Sequence, residues 1–182
     1  ETEPSVKLRW LRPGEALGDP DAVVLAGSKQ TLRDLAWLGE MGLDRQLNTY
    51  LARGGTLFGI CGGLQMLGRE LLDPEGLEGG EAQLLTRGQR GLDLLPLQTR
   101  FGSRKQLAQR RVGMRWPPGP PLELKGFELH HGRSRWLDAD GSEAEALLSD
   151  DQDLGWWRAT PQGGVVAGTY LHGIFESGGW RR

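Results

Sequence analysis

The sequence predicts an α/β fold with a mostly parallel central sheet, helices on both faces and an antiparallel extension at one edge. Up to residue 72, short apolar runs alternate with amphipathic segments, which is the order of parallel strands joined by crossover helices. Over residues 73–121 the chain is rich in glycine, proline and arginine and its apolar runs are shorter, as is typical of antiparallel strands and loops. A further apolar strand pattern follows at residues 165–167.

Two strands and two helices are predicted in the first part of the chain. The strands cover residues 8–11 and 22–26, and the second ends in a Gly-Ser-Lys loop. The first helix begins at Thr31, where Thr31 and Asp34 resemble a capping box, and the second begins near Asp44. Apolar residues recur at helical spacing in both, namely Leu32, Leu35 and Leu38 in the first and Leu47, Tyr50 and Leu51 in the second.

The only cysteine of the chain lies between a predicted strand and a predicted helix. The apolar run Thr56-Leu57-Phe58 precedes Gly59-Ile60-Cys61-Gly62-Gly63, and a helix is expected over residues 63–72. Glycines around a residue at such a junction are typical of a nucleophile elbow, where a Cβ would clash. A helix N-terminus favours the thiolate, and its backbone N–H groups can bind an oxyanion. The alternative interpretation of a lone cysteine is a small buried hydrophobic residue.

A histidine follows the last predicted strand. Residues 165–167 lead into Gly168-Thr169-Tyr170-Leu171-His172-Gly173, so His172 comes at the carboxyl edge of the sheet, as Cys61 does. A cysteine and a histidine at one edge indicate nucleophilic catalysis, with the imidazole as base and acid. The alternative is a hydrogen-bonded packing histidine.

Size, charge and composition restrict the class of protein. The chain has 182 residues and a net charge of -2, which suits one domain and argues against nucleic acid or an anionic membrane as the main partner. No apolar stretch approaches the roughly 20 residues of a membrane span. A single cysteine makes no internal disulfide, so a cytoplasmic location is expected. No metal site is predicted, and no phosphate-binding loop of the Gly-x-x-x-x-Gly-Lys-Ser/Thr type is recognisable.

Residues 87–115 form a basic segment. The only acidic residue in it is Asp93, and its cationic residues are Arg87, Arg90, Arg100, Arg104, Lys105, Arg110, Arg111 and Arg115. Such a segment is usually a solvated face. A functional interpretation is a surface for a carboxylate-rich ligand or an acidic partner domain, and the acidic segment 138–153 is a candidate complement.

The motifs resemble those of a known enzyme family. Cys61-Gly62-Gly63-Leu64-Gln65 and the distal strand with His172 are similar to the class I, or triad-type, glutamine amidotransferases, whose fold is flavodoxin-like. Further blocks are similar to the glutaminase domain of the cobyric acid synthases and follow the family order over nearly the whole chain. These blocks are residues 25–31, Asp73-Pro74, residues 91–96, residues 126–130 and residues 168–175.

The resemblance implies that residues 1–182 are a glutaminase domain that takes ammonia from L-glutamine. The ammonia would serve the ATP-dependent amidation of corrinoid carboxylates, from adenosylcobyrinic acid a,c-diamide to cobyric acid, in cobalamin biosynthesis. Cys61 would be the nucleophile and His172 the acid and base, Gly62 and Gly27 would supply the oxyanion hole, and Gln65 would help to hold glutamine. An N-terminal synthetase domain that binds ATP and Mg would be absent from this chain, which itself would need no cofactor.

The third member of the catalytic site is left open. Many triad-type relatives have glutamate two residues after the histidine, and here that position is Ile174. Glu176 and Glu128 are the candidate replacements. A dyad whose histidine is positioned by a backbone carbonyl is the alternative.

Three other functions fit parts of the sequence. A glutaminase subunit that amidates lipid II shares Gly-Ile-Cys-Gly-Gly, but its histidine motif favours proline after His-Gly, where this chain has Ile174. A cysteine peptidase or another hydrolase on a similar sheet would turn over peptides rather than glutamine. A binding domain with a degenerate site is disfavoured by the intact Cys61, Gln65 and His172.

Overall fold

The computed structural model describes residues 3–78, 88–137, 145–148 and 153–181. In chain order the elements are β1 (Val23–Leu25), α1 (Thr31–Glu40), α2 (Leu43–Leu51), β2 (Thr56–Ile60), α3 (Gly62–Leu67), β3 (Glu70–Leu72), β4 (Gln89–Arg90), β5 (Leu97–Gly113), β6 (Glu123–Trp136), β7 (Glu145–Ala146), β8 (Gly155–Ala159), β9 (Val165–Thr169), β10 (Leu171–His172), a 3-10 helix (Ile174–Glu176) and α4 (Gly178–Arg181). Two five-stranded sheets result, with the orders β1-β2-β9-β8-β7 and β10-β6-β5-β3-β4.

The first sheet contains the predicted parallel core. β1 pairs in parallel with β2 and β2 with β9, while β8 and β7 extend the sheet in antiparallel order. The α/β class predicted from the sequence is confirmed. Because the three parallel strands run in one direction, the segments that follow them leave the sheet at one edge.

Helix α3 covers the middle of this sheet. Leu57 on β2, Leu64 on α3 and Val166 on β9 are all fully buried in one apolar cluster. Burial of each of these side chains contributes about 1.5–3 kcal/mol relative to exposure. The packing fixes the start of α3, and with it the residue just before the helix, against the end of β2.

The antiparallel part of the molecule is larger than the sequence predicts. Besides β7 and β8, β5 and β6 pair from Leu97 opposite Trp136 to Gly113 opposite Glu123, with an irregularity between Arg100 and Lys105. β10 pairs with β6 in antiparallel order, and β3 pairs with β5 in parallel. Outward positions of β5 are mostly polar, so its apolar residues do not form a run that reveals its length.

Three local predictions are wrong. Residues 8–11 form no strand, because within the described residues no neighbouring strand pairs with them. The helix after Cys61 ends at Leu67, since Gly68 is extended and Arg69 N–H donates to Leu97 O, which draws the chain into the second sheet. Thr31 is the first residue of α1 rather than its cap, and Gln30 precedes it without a side-chain capping bond.

Parts of both charged segments fall outside the described residues. In the basic segment, Arg87 lies outside the described residues. In the acidic segment 138–153, only residues 145–148 and Asp153 are described. Within the described part of the basic segment, charge is partly neutralised by ion pairs of Arg90 with Asp93 and Arg110 with Glu128. Among the described helices, none has the length and apolar character that a bilayer span requires.

Candidate active site

Cys61 occupies a strained turn between β2 and α3. Its backbone angles are φ 53° and ψ -109°, a combination that residues with a Cβ rarely adopt. The turn is also closely packed, because a Cβ on Gly63 would lie 2.0 Å from the carbonyl oxygen of Leu25. A Cβ on Gly59 would lie 2.7 Å from the backbone nitrogen of Leu64. These glycines allow the chain to reverse and leave the thiol at the edge of the sheet.

The thiol and the imidazole converge on one backbone oxygen. Cys61 Sγ lies 3.5 Å and His172 Nε2 lies 3.3 Å from the carbonyl oxygen of Leu129 on β6. A carbonyl oxygen only accepts hydrogen bonds, so the thiol S–H and the imidazole Nε2–H both donate to it. In this resting arrangement the two groups are neighbours, and their hydrogen bonds join each of them to β6.

Strand β10 and an aromatic ring set the position of His172. His172 pairs with Phe127 across β10 and β6, and paired residues of two strands present their side chains on one face. The two rings are stacked, with centroids 5.0 Å apart and planes inclined by 7°. The imidazole is therefore held by a strand pairing and a stacking contact as well as by the Leu129 carbonyl.

The loop after β1 lies against the thiol and the imidazole. A Cβ on Gly27 would be 3.5 Å from Cβ of Cys61 and 3.8 Å from Cε1 of His172. A Cβ on Gly62 would be 2.8 Å from the backbone nitrogen of Ser28. The structure thus brings together Gly27, Gly62, Cys61 and His172, which the sequence analysis selected from three separate segments.

Burial dominates the electrostatics of the thiol. It raises the pKa of Cys61 to about 11, while a hydrogen bond from the Gly62 backbone N–H lowers it and the carboxylate of Glu78 raises it. The resting thiol is therefore protonated at neutral pH. The Gly62 N–H interacts with the charge that forms on sulfur, so it is also placed to donate to an oxyanion beside it.

Gln65 is buried and fully engaged by the protein. It is 2% exposed, and its Nε2 donates to the carbonyl oxygen of His131 at 2.9 Å and to the Tyr170 hydroxyl at 3.2 Å. Its Oε1 accepts a hydrogen bond from the Thr31 hydroxyl at 3.3 Å. The side chain thus fastens α3 to β6, two residues beyond the carbonyl that binds the thiol and the imidazole.

Tyr170 and Leu129 belong to the site but were not predicted from the sequence. Tyr170 is buried, which raises the pKa of its hydroxyl to about 12, and this hydroxyl hydrogen-bonds Ser134 at 2.6 Å as well as Gln65. Tyr170 stands between Thr169 and His172 in an already recognised motif, so its position could have suggested a role. Leu129 acts through its backbone, and no side-chain pattern reveals that.

The two candidate third members occupy different surroundings. Glu128 is buried, its Oε1 lies 2.9 Å from Nε2 of His130, and its Oε2 accepts from Nε of Arg110 at 2.8 Å. It points to the buried face of β6, whereas Phe127 and the stacked His172 lie on the other face. Glu176 is exposed in the 3-10 helix after His172.

An exposed surface adjoins the imidazole. Leu107 on β5 pairs with Leu129 on β6 and is 72% exposed, and the neighbouring Phe127 is 37% exposed. The same register places Lys105 opposite His131 and Arg111 opposite Lys125 at the two ends of this apolar row. In the part of the chain that the structure describes, no group of three or more His, Cys, Asp or Glu side chains could hold a metal ion.

Comparisons with known proteins agree on one family. The CobB/CobQ-like glutamine amidotransferase domain family matches residues 1–180. Proteins named cobyric acid synthase from Parasynechococcus marenigrum (strain WH8102) and Synechococcus sp. (strain CC9311) are 54% and 56% identical over 182 and 184 residues. A cobyric acid synthase from Prochlorococcus marinus (strain NATL1A) is 44% identical over 181 residues. Each match covers 100% of this chain but only 35% or 36% of the relative, so the chain spans about a third of their length.

A solved structure supports the fold. It is described as the crystal structure of a glutamine amidotransferase, and it matches with a TM-score of 0.61 and 15% sequence identity over 92% of this chain and 78% of that chain. At this identity the likeness concerns the fold alone. The family match covers nearly every residue, and the chain therefore belongs to the CobB/CobQ-like glutamine amidotransferase domain family.

Proposed function

We propose that this chain is the glutaminase domain of a cobyric acid synthase. It would hydrolyse L-glutamine and supply ammonia for the amidation of corrinoid carboxylates, from adenosylcobyrinic acid a,c-diamide to cobyric acid, in cobalamin biosynthesis. The observation that carries the proposal is the convergence of Cys61 Sγ and His172 Nε2 on the Leu129 carbonyl, beside the Gly27 loop. The relatives named above favour this enzyme over the lipid II glutaminase, because each is a cobyric acid synthase.

The chemistry begins with attack on the side-chain amide of glutamine. The Cys61 sulfur bonds to the carboxamide carbon as its proton passes to His172, and the carbonyl electron pair moves to oxygen. Backbone N–H groups of Gly62 and of the loop at Gly27 stabilise this oxyanion. His172 then protonates the departing nitrogen, ammonia leaves, and a γ-glutamyl thioester remains. Water, deprotonated by His172, cleaves the thioester to glutamate and restores the thiol.

The resting hydrogen bonds imply an activation step. Nε2–H of His172 donates to the Leu129 carbonyl, so this nitrogen has no lone pair for the thiol proton in that arrangement. Proton transfer requires the tautomer with hydrogen on Nδ1 and a bond from the thiol to Nε2. Substrate binding or docking of a partner would favour that rearrangement, as in other enzymes whose sites are completed on closure.

We infer that the pair works as a dyad. The strand pairing with Phe127 and the stacked Phe127 ring hold the imidazole of His172 without a carboxylate, and the Leu129 carbonyl holds it in the resting arrangement. Glu128→Gln and Glu176→Gln test the two alternative third members. We expect kcat within about threefold of the unsubstituted chain for Glu176→Gln, whereas loss of an essential orienting carboxylate costs about 10⁴ in kcat. A loss of that size in either variant, with the fold retained, would identify a triad.

The amidation itself requires a partner. The loop at Gly27 and Ser28 packs against Cys61 and Gly62, and the sequence has no recognisable phosphate-binding loop of the Gly-x-x-x-x-Gly-Lys-Ser/Thr type. We assign activation of the carboxylate, with ATP and Mg, to a synthetase domain. The exposed apolar row at Leu107 and Phe127, with Lys105 and Arg111 at its ends, is the surface near the thiol that such a domain could cover.

The proposal is tested with glutamine, ATP, Mg and the corrinoid acid. The chain alone should release glutamate and ammonia slowly, and Cys61→Ala and His172→Ala should lower this rate by about 10³-fold or more. A diazo-ketone analogue of glutamine should label Cys61. Adding the synthetase domain of a relative should raise glutamine hydrolysis and produce amidated corrinoid.

Other outcomes would identify other functions. Hydrolysis of peptides without turnover of glutamine would indicate a peptidase, and amidation of lipid II with its ligase would indicate the cell-wall enzyme. Corrinoid amidation by the 182-residue chain alone would contradict the assignment of ATP to a partner.

A further inference from the structure

We propose that Glu128 and His130 are positioning residues, which hold the ring of Tyr170 and through it the connection between β6 and α3. This inference rests on the proposed function, because it concerns how the same site is held together. Both residues belong to the block 126–130. Neither side chain takes part in the steps proposed for the thiol and the imidazole.

Glu128 and His130 form a buried, hydrogen-bonded pair on β6. They are 7% and 8% exposed, and Nε2 of His130 lies 2.9 Å from Oε1 of Glu128. Nδ1 of His130 donates to the carbonyl oxygen of Gly132 at 3.0 Å, because a carbonyl oxygen only accepts. One proton therefore lies between the imidazole and the carboxylate, and oxygen atoms of the same strand fix both ring nitrogens.

Arg110 on β5 fixes the other side of the carboxylate. Its Nε donates to Oε2 of Glu128 at 2.8 Å, and its Nη2 donates to the same oxygen. Hydrogen bonds between charged groups are stronger than those between neutral ones. Because each carboxylate oxygen has a partner of its own, Glu128 presents Oε1 to His130 in one orientation.

The imidazole of His130 supports the ring of Tyr170. The two rings are stacked, with centroids 3.7 Å apart and planes inclined by 19°. Tyr170 is 1% exposed, and its hydroxyl bonds Nε2 of Gln65 at 3.2 Å and the Ser134 hydroxyl at 2.6 Å. A displaced imidazole would let the tyrosine ring tilt, and both bonds at its far end would lengthen.

Tyr170 lies between the segments that carry the thiol and the imidazole. It precedes the catalytic histidine by two residues, and its neighbour Thr169 accepts the backbone N–H of Cys61 at 2.8 Å. Gln65 in turn donates to the carbonyl oxygen of His131 on β6 at 2.9 Å. Pairing with β5 sets the register of β6, whereas these contacts set how closely β6 approaches the elbow. A misplacement of about 1 Å at that distance from the chemistry can lower the rate about 10²-fold.

Two variants separate a positioning role from a catalytic one, because positioning needs the length of Glu128 and catalysis needs its charge. Glu128→Gln keeps the length and removes the charge. Its amide nitrogen can donate to Nε2 of His130 while its amide oxygen accepts from Arg110. Glu128→Asp keeps the charge and withdraws it from the imidazole by one methylene group.

The remaining alternative is a pair that contributes to folding alone. Val112→Ala is the control for it, because Val112 is buried in the same hairpin and pairs with Leu124, four residues before Glu128. The substitution removes buried apolar volume and leaves the side chains of the proposed pair intact. Urea unfolding compares its stability with that of the Glu128 variants.

The first experiment measures kcat and KM for glutamine hydrolysis. Glu128→Asp should lower kcat about tenfold or more with KM within about threefold, because the substrate is bound but the reacting groups are misplaced. Glu128→Gln should restore kcat to within about threefold of the unsubstituted chain, and Val112→Ala should retain it. Equal losses of kcat in the two Glu128 variants would show that the charge matters and would overturn the inference. Full kcat in Glu128→Asp, or a raised KM at full kcat, would also overturn it.

The second experiment tests the route through Tyr170. Tyr170→Phe removes the hydroxyl that the stacked imidazole positions. If Glu128 acts through that hydroxyl, Glu128→Asp should lower kcat by less than about threefold in the Tyr170→Phe chain, against about tenfold in the unsubstituted chain. The same loss in both chains would contradict the route and overturn the inference.

His130→Gln replaces Glu128→Asp in both experiments if the latter does not fold. Its amide can reach Glu128 but offers no ring to Tyr170, so the same loss of kcat is expected. If the unsubstituted chain does not hydrolyse glutamine, the proposed function fails and this inference fails with it. If it does, and the substituted chain is equally active, only this inference fails.

Discussion

The parallel core and the β5–β6 hairpin build the two sides of the site by different physical means. In the core, Cys61 is positioned by close approach of backbones, and the glycines at 59 and 63 are required because a Cβ would collide with neighbouring backbone atoms. In the hairpin, the Leu129 carbonyl is positioned by strand register, which many side chains would support equally well. A constraint on side-chain volume can be recognised in a sequence, whereas a constraint on backbone register usually cannot.

The largest effect on stability is expected from a substitution in the closely packed parallel core. Gly63→Ala should destabilise the protein by about 3 kcal/mol or more and abolish labelling of Cys61, because its Cβ would lie 2.0 Å from the Leu25 oxygen. Gly39→Ala is the control, since a Cβ there meets nothing within 4 Å, and in helix α1 it should stabilise by about 0.5–1 kcal/mol. Urea unfolding of both variants measures the difference. Similar free energies of unfolding for the two variants would contradict the packing argument.

The pH dependence of alkylation tests the burial of the thiol beneath the hairpin. With a pKa raised to about 11, the thiolate fraction of Cys61 rises about tenfold per pH unit between pH 7 and 10, and so should the rate with iodoacetamide. Cys61 is the only cysteine, so loss of free thiol reports on it alone. A plateau near pH 8 would show that the hairpin does not shield the thiol.

A smaller effect is expected where the two regions are joined. Tyr170→Phe removes the hydroxyl that bonds Gln65 of the core and Ser134 of the hairpin, and should lower the free energy of unfolding by about 1–2 kcal/mol. Gln65 also joins α3 to β6 through the His131 carbonyl, and loss of its bond to Tyr170 weakens that connection. Glutamine hydrolysis should therefore fall several-fold, while the secondary structure should not change. Unaltered stability and activity would show that the two regions hold their relative position without this network.

The smallest effect on stability is expected on the exposed face of the hairpin. Leu107→Asp should change the free energy of unfolding by less than about 0.5 kcal/mol, because Leu107 is 72% exposed. It should nevertheless weaken the stimulation of glutamine hydrolysis by an added synthetase domain. Leu8→Asp, at a leucine of similar exposure outside the hairpin, controls for the added charge and the lost apolar side chain. Full stimulation of Leu107→Asp would assign docking to another surface.

The core of the fold was predictable because its signals are local. Apolar runs at 22–26 and 165–167 correspond to β1 and β9, and the helical spacing of Leu32, Leu35 and Leu38 corresponds to buried positions of α1. The strand expected at 8–11 failed because the same alternation also suits an exposed segment that lacks a neighbouring strand. The helix expected to reach residue 72 failed because Gly68 and a bond to Leu97 favour the second sheet.

The sequence by itself determined the parallel α/β core and the chemical identity of the groups at its edge, because Cys61, Gly27, Gly62 and His172 follow strands that must end together. Only the tertiary structure decided how those groups are held. The Leu129 carbonyl and the Tyr170 hydroxyl reach the site through contacts between distant segments. Contacts of this kind depend on register and on the path of the chain in space, and the physical chemistry of neighbouring residues does not specify them.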